Sequence, residues 1–180
     1  MHVTVGALLV RGGREILLIE HRAYGITLQP GGHLEPTDAT LVDVAVRELA
    51  EETGLDPAGV TLADPVPAYV EYGRVPARPE KGEPDHFHLD LGYAFTTDRA
   101  DVGQIQEAEV TGAAWVPLAD AERLVGPRIA RAVSRTARRR LTQARRSRAR
   151  PCHGCGCVPV PARPRAARPF TSGSTTGTGA

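Results

Sequence analysis

Arg47-Glu48-Leu49-Ala50-Glu51-Glu52-Thr53-Gly54-Leu55, preceded by the loop Pro30-Gly31-Gly32-His33-Leu34-Glu35-Pro36, decides how this chain folds. From about Thr40 to Thr53 the spacing predicts a helix: Val42, Val46, Leu49 and Thr53 recur at i, i+4, i+7 and i+11. Asp38 or Thr40 can cap its start, Gly54 stands at its C′ position, and Pro57 follows. At about 100° per residue, Glu48, Glu51 and Glu52 share one arc beside the apolar stripe. They also crowd the negative end of the helix dipole, where each anion costs roughly 0.3 to 1 kcal/mol if little screened. The i,i+4 pair Glu48 and Glu52 adds a like-charge repulsion of about 0.2 to 0.5 kcal/mol.

A solvated acidic face is the ordinary reading of clustered glutamates. A bound divalent cation reverses the energetics, because hard oxygen ligands suit Mg²⁺ or Mn²⁺. The paired glycines ahead of the helix favour that second reading, since they let backbone approach a ligand closely.

Together these residues resemble the signature of the Nudix hydrolases, which split nucleoside diphosphates linked to another group. Its second half, Arg-Glu-apolar-X-Glu-Glu-X-Gly-apolar, matches at every position from Arg47 to Leu55. In the first half Gly32 fits. The motif's first Glu is replaced by Asp38, and eight residues rather than seven separate it from Arg47. We read one extra residue at the start of the helix, where a cap can absorb it. Counted back strictly from Arg47, that Glu falls on Ala39 and the Gly on His33.

The resemblance implies a Mg²⁺-dependent (or Mn²⁺-dependent) pyrophosphohydrolase acting on a small-molecule nucleotide derivative. Glu48, Glu51 and Glu52 are the expected metal ligands, with the backbone of Gly32 beside them. Glu48 is one candidate for the base that activates water; Glu109, and less so Glu107, stand where a base from a distant loop would lie. Arg47 is expected to orient a glutamate through a charge-assisted pair. Arg22 is a candidate phosphate contact, and His86, His88 and Asp90 are candidates for the cleft wall, each against an ordinary surface or packed role. Tyr24, Tyr69 and Tyr72 are candidates for stacking on a base, while Trp115 reads as core. Thr27 stands where many family members carry an aromatic residue. A sensor module of the same fold, binding a nucleotide without cleaving it, is the competing function, and the intact acidic cluster speaks against it.

Organisation follows from charge and composition. The net charge of +1 hides a division: through Arg123 there are nine bases against 21 acids, a local balance of −12, and beyond it every charged residue is Arg. The acidic body argues against non-specific nucleic-acid binding there. An Arg-rich tail that holds RNA or another polyanion is a separate possibility. With 41% hydrophobic residues, the body can bury a core. No apolar run approaches the ~20 residues of a membrane span, and no signal-like segment opens the chain, so we expect a cytoplasmic protein without a membrane partner.

Val3 to Val10 and Ile16 to Glu20 read as a hairpin around Arg11-Gly12-Gly13-Arg14. Val66 to Tyr72 reads as a strand and residues 73–84 as a Pro- and Gly-broken loop. In the strand His86 to Phe95, Phe87, Leu89, Leu91, Tyr93 and Phe95 are expected on the core face and His86, His88 and Asp90 on the other. Ala113 to Leu118 is a further strand, and Pro127 to about Arg138 a terminal helix. Mixed strands with helices on both faces give an α/β/α sandwich around a mixed β-sheet, the fold the resemblance also implies. Residues 1–138 are expected to form this domain and 139–180 an Arg/Pro/Gly-rich disordered tail. Cys152, His153, Cys155 and Cys157 offer zinc ligands crowded into six residues without a scaffold, and a flexible segment with free thiols is the preferred reading.

Overall fold

Thr4 to Val10 and Ile16 to Ile19 are buried without alternation, as strands covered on both faces must be. A computed structural model describes residues 1–148 except 23–24, 80–81 and 100–101, with side chains described through 138. Eight strands among these residues form one mixed sheet: β1 (His2–Arg11), β2 (Glu15–His21), β3 (Ile26–Leu28), β4 (Gly31–His33), β5 (Thr61–Leu62), β6 (Tyr69–Val75), β7 (His86–Thr97) and β8 (Val110–Pro117). β1 pairs in parallel with β7 along its whole length, from His2 opposite His88 to Arg11 opposite Thr97. Its other edge is shared. β4 pairs antiparallel with Thr4, Val5 and Gly6, while β2 pairs only at Val10 and Arg11 and then leaves to join β3 and β8. That divergence opens the sheet beside β4.

Three helices complete a sandwich: α1 (Leu41–Thr53), α2 (Leu118–Val125) and α3 (Arg128–Arg148). On one face Val44, Ala45 and Leu49 of α1 pack on Val5, Ala7, Leu9, Tyr93 and Phe95. On the other, Ala121 of α2 and Ile129 and Ala132 of α3 cover Leu8, Val10 and Ala94. None of the described helices is long and apolar enough to cross a membrane.

Several boundaries differ from expectation. β6 begins only at Tyr69, after Pro65 and Pro67, which remove backbone donors, and continues to Val75. α2 was not foreseen, because eight residues give barely two turns of periodicity. α3 runs past Arg138 to Arg148, while residues 149–180, including the Cys152 to Cys157 group, lie outside the described residues. Phe87 is not core: it is 39% exposed and stacks on Tyr72 with ring centroids 5.0 Å apart, because this end of β7 extends beyond the helices that cover its middle.

Candidate active site

Helix α1 is fixed at both ends by local chemistry. The Thr40 hydroxyl accepts from the Asp43 amide, and Gly54, left-handed at φ 65°, donates its amide to the Ala50 carbonyl. Between these caps the buried face carries Val44, Ala45, Glu48, Leu49, Glu52 and Thr53. Glu48 and Glu52 are therefore on the buried face itself, where the sequence placed them at its edge, and Glu51 is turned outward with its side chain 49% exposed.

The glycine loop meets these carboxylates as β4. The Gly31 amide donates to Glu52 Oε2 at 2.9 Å. A β-carbon on Gly32 would lie 2.3 Å from Glu48 Oε1, so glycine here is a space requirement of the carboxylate. Burial raises both acids. Glu52, 1% exposed, is pushed up to about 8 by desolvation, opposed by the Gly31 amide and reinforced by Glu48, Glu109 and Glu51. Glu48 is also raised by desolvation, against the pull of Arg47.

Arg47 is the hub beside them. Its Nε and Nη2 donate to the two Asp38 oxygens at 3.1 and 3.0 Å, Nη2 also to the His33 carbonyl at 2.9 Å, and Nη1 to Glu48 Oε1 and Glu51 Oε2 at 3.0 Å each. Asp38 is held below the usual carboxylate range, first by the Arg47 bond and then by the Glu35 amide that donates to it. The residue that replaces the motif's first Glu thus anchors the arginine, a role the linear spacing did not reveal.

A cleft of about 840 Å³ lies over this assembly, lined by Gly32, Glu48, Glu51, Glu52 and Arg47. Arg22 and Glu109 also line it, joined by the Arg22 amide donating to the Glu109 carbonyl at 2.8 Å. Glu107 is exposed and does not line the cleft. On the far side of β4 the wall continues through His33, His88, Asp90 and Arg128. His86 is not a wall residue; its Nε2 meets His88 Nε2 at 2.9 Å.

A model of the NUDIX domain matches residues 1–141. The chain belongs to the Nudix family. Among curated proteins, phosphatase NudJ of Escherichia coli K12 is 50% identical over 56 residues, 30% of this chain and 35% of that protein. The chain therefore aligns with about 35% of the length of such relatives. Among solved structures, the Caenorhabditis elegans Ap4A hydrolase binary complex shares 18% identity at a TM-score of 0.58, covering 79% of this chain and 99% of that one. A NUDIX-family hydrolase from Clostridium perfringens shares 23% at a TM-score of 0.56, covering 78% and 97%. At these identities the likeness is one of fold.

The aromatic expectations for this Nudix cleft change. Tyr69 is buried: its hydroxyl donates to Asp90 Oδ2 and accepts from Gln29 Nε2, both at 2.9 Å, and the Arg128 guanidinium lies 4.7 Å over its ring. Neither face is open to a base. Tyr72 is exposed against Phe87 away from the cleft lining, and Tyr24 lies outside the described residues. Trp115 packs partly buried at the edge of the α1-side core with the Arg11 guanidinium 4.2 Å above it. Asp90 is raised by burial against the bonds from Tyr69 and Thr4 and the charge of Arg128. It acts as the centre of a network between sheet and α3. His88 is pushed down to about 4 by burial and by its imidazole neighbours His33, His86 and His2, and His33 is lowered likewise.

Proposed function

We propose that this protein is a divalent-metal-dependent hydrolase that cleaves the pyrophosphate linkage of a nucleoside diphosphate derivative. The observation that carries the reading is the pair of buried carboxylates, Glu48 and Glu52, held against Gly31 and Gly32 at the base of the cleft. A buried acid that must hold a proton up to about pH 8 is poorly matched to its surroundings until a cation replaces that proton. The donors that converge are all hard oxygens, which suit Mg²⁺ or Mn²⁺ rather than a soft metal. Glu48, Glu51 and Glu52 are the ligands in this reading. The bound ion supplies neutralisation of phosphate charge and a lowered pKa for its water.

The remaining roles belong to side chains around the cleft. Glu109 accepts the proton of the attacking water, and Arg22, tied to it through the backbone, pairs with a phosphate oxygen. Arg47 is a positioning residue whose Nη1 bridges Glu48 and Glu51. The fold shared with an Ap4A hydrolase agrees with a nucleotide substrate. Release of phosphorylated products from a panel of nucleoside triphosphates, dinucleoside polyphosphates, ADP-ribose and nucleotide sugars, with Mg²⁺, tests the reading. Turnover should be lost in Glu48→Gln and Glu52→Gln. Equal turnover by these variants would remove the site, and tight nucleotide binding without turnover by the parent would instead favour the sensor function.

A further inference from the structure

β4 carries chemistry on both sides. Gly32 faces the α1 side, beneath Glu48, so its neighbour His33 projects to the α3 side by the alternation of a strand. On β1, His2 and Thr4 face that same side, and the pairings His2 with His88, Thr4 with Asp90 and Thr4 with His33 bring three separate strands into register there. The result is a group of four imidazoles: His2 lies with ring centroids 5.4 Å from His33, 5.6 Å from His88 and 4.6 Å from His86, and His33 lies 5.2 Å from His88. One nitrogen from each of His2, His33 and His88 falls within 4.8 Å of the others.

We propose that His2, His33 and His88 form a zinc site at one end of the cleft, distinct from the carboxylate site on the other face of β4. Tetrahedral zinc with bonds of 2.0 to 2.1 Å needs nitrogens about 3.3 Å apart, so modest side-chain rotation from the present separations closes the site. Three neutral imidazoles are a borderline-soft donor set, which favours zinc over Mg²⁺ and sets this site apart from the all-oxygen cluster. His86 is the orienting residue. Its Nδ1 lies 2.8 Å from the Pro84 carbonyl, which can only accept, so Nδ1 carries a proton, and in the neutral ring Nε2 is then the bare nitrogen. That bare nitrogen accepts from His88 Nε2 at 2.9 Å, leaving Nδ1 of His88 as its free lone pair. A metal-binding histidine is oriented by a hydrogen bond from its other ring nitrogen, and His86, itself anchored on a carbonyl, takes that place for His88. His33 and His88 border the cleft, so the open fourth position of a three-imidazole zinc faces the ligand space. There it would take an anionic oxygen, and on the hydrolase reading above that oxygen belongs to the phosphorylated substrate.

The test uses the full chain with Cys152, Cys155 and Cys157 changed to Ser, so that tail thiolates do not contribute. Zn²⁺ titration by calorimetry, in excess Mg²⁺ to occupy the carboxylates, should give one site. Co²⁺ in its place should show the visible bands of a four-coordinate ion without thiolate charge transfer. His2→Ala, His33→Ala and His88→Ala should each weaken Zn²⁺ binding by roughly 100-fold or more, and His86→Ala by about tenfold. His2 and His33 are exposed, so thermal melts of their variants should match the parent. Glu52→Gln should keep the zinc site while losing hydrolysis, which separates failure of this proposal from failure of the proposed activity. Absence of Zn²⁺ binding in the Cys-to-Ser chain, or binding indifferent to all three histidines, would overturn it.

Discussion

The Gly31 amide donates to Glu52 Oε2 at 2.9 Å, joining the glycine loop to a helix that begins ten residues later at Leu41. This single bond holds one oxygen of a buried acid whose folded-state pKa is about 8, against 4.5 for an ordinary glutamate. Between those values the folded protein holds a proton that the unfolded chain has lost. Stability therefore falls as pH rises from about 4.5 to about 8 and then levels, with a slope of at most ~1.4 kcal/mol per pH unit. Melting curves in chelator should show Tm declining across this window, Glu52→Gln should flatten the decline, and Mg²⁺ should restore Tm most strongly at the alkaline end. Parallel curves for parent and Glu52→Gln would contradict the assignment.

Gly32→Ala tests the contact between loop and helix. Its β-carbon would fall 2.3 Å from Glu48 Oε1, and the side chain of Glu48 is the part free to give way. The fold should persist by circular dichroism while turnover drops by about 100-fold, the scale expected when a ligand group is displaced by an ångström. Full activity in this variant would show that Glu48 need not stay where it is.

Arg47→Lys removes a planar fork that reaches Asp38, the His33 carbonyl, Glu48 and Glu51 at once. A single ammonium cannot span these acceptors. We expect kcat to fall by roughly 10- to 100-fold with Tm also lowered, and Asp38→Asn to reproduce part of both effects. Steady-state kinetics and melts of the two variants together check this, and unchanged kcat in Arg47→Lys would reduce the arginine to a surface residue.

Glu109→Gln and Glu107→Gln form a matched pair, since both acids are exposed on one short segment but only Glu109 lines the cleft. Loss of a general base costs about 10²- to 10⁴-fold in kcat, with KM and Tm nearly unchanged. Glu107→Gln should behave as the parent. If Glu109→Gln retains full kcat, Glu48 becomes the stronger candidate base.

Gly54→Ala addresses the helix end. The position has φ 65°, and a β-carbon there would meet the Gln104 backbone at 2.5 Å. Strain of about 1 to 3 kcal/mol should appear as a lowered Tm by scanning calorimetry. An unshifted Tm would mean that the 103–104 segment moves aside at no cost.

Features carried by neighbouring residues were readable in advance. Thr40, the glutamates, Gly54 and Pro57 lie within one stretch, and capping, periodicity and the left-handed terminator each act over a few residues. The hairpin around Gly12 and Gly13 is local in the same sense. Tyr69 shows where this ends. Its sequence position offered a stacking surface, yet Asp90, Gln29 and Arg128, drawn from three other parts of the chain, enclose it.

The sequence by itself determined the acidic helix, the paired glycines ahead of it, the mixed sheet covered on both faces and the acidic character of the body, because all rest on short-range spacing and composition; that Gly31–His33 is strand β4 and not a loop came from its pairing with β1. Tertiary structure decided that Asp38 anchors Arg47, that Glu48 and Glu52 sit on the buried face, and that His2, His33 and His88 meet on the opposite side of β4. Those outcomes depend on which strands pair and in what register. Register is set by burial of whole faces across the sheet, and a one-residue slip would turn each histidine to the other side.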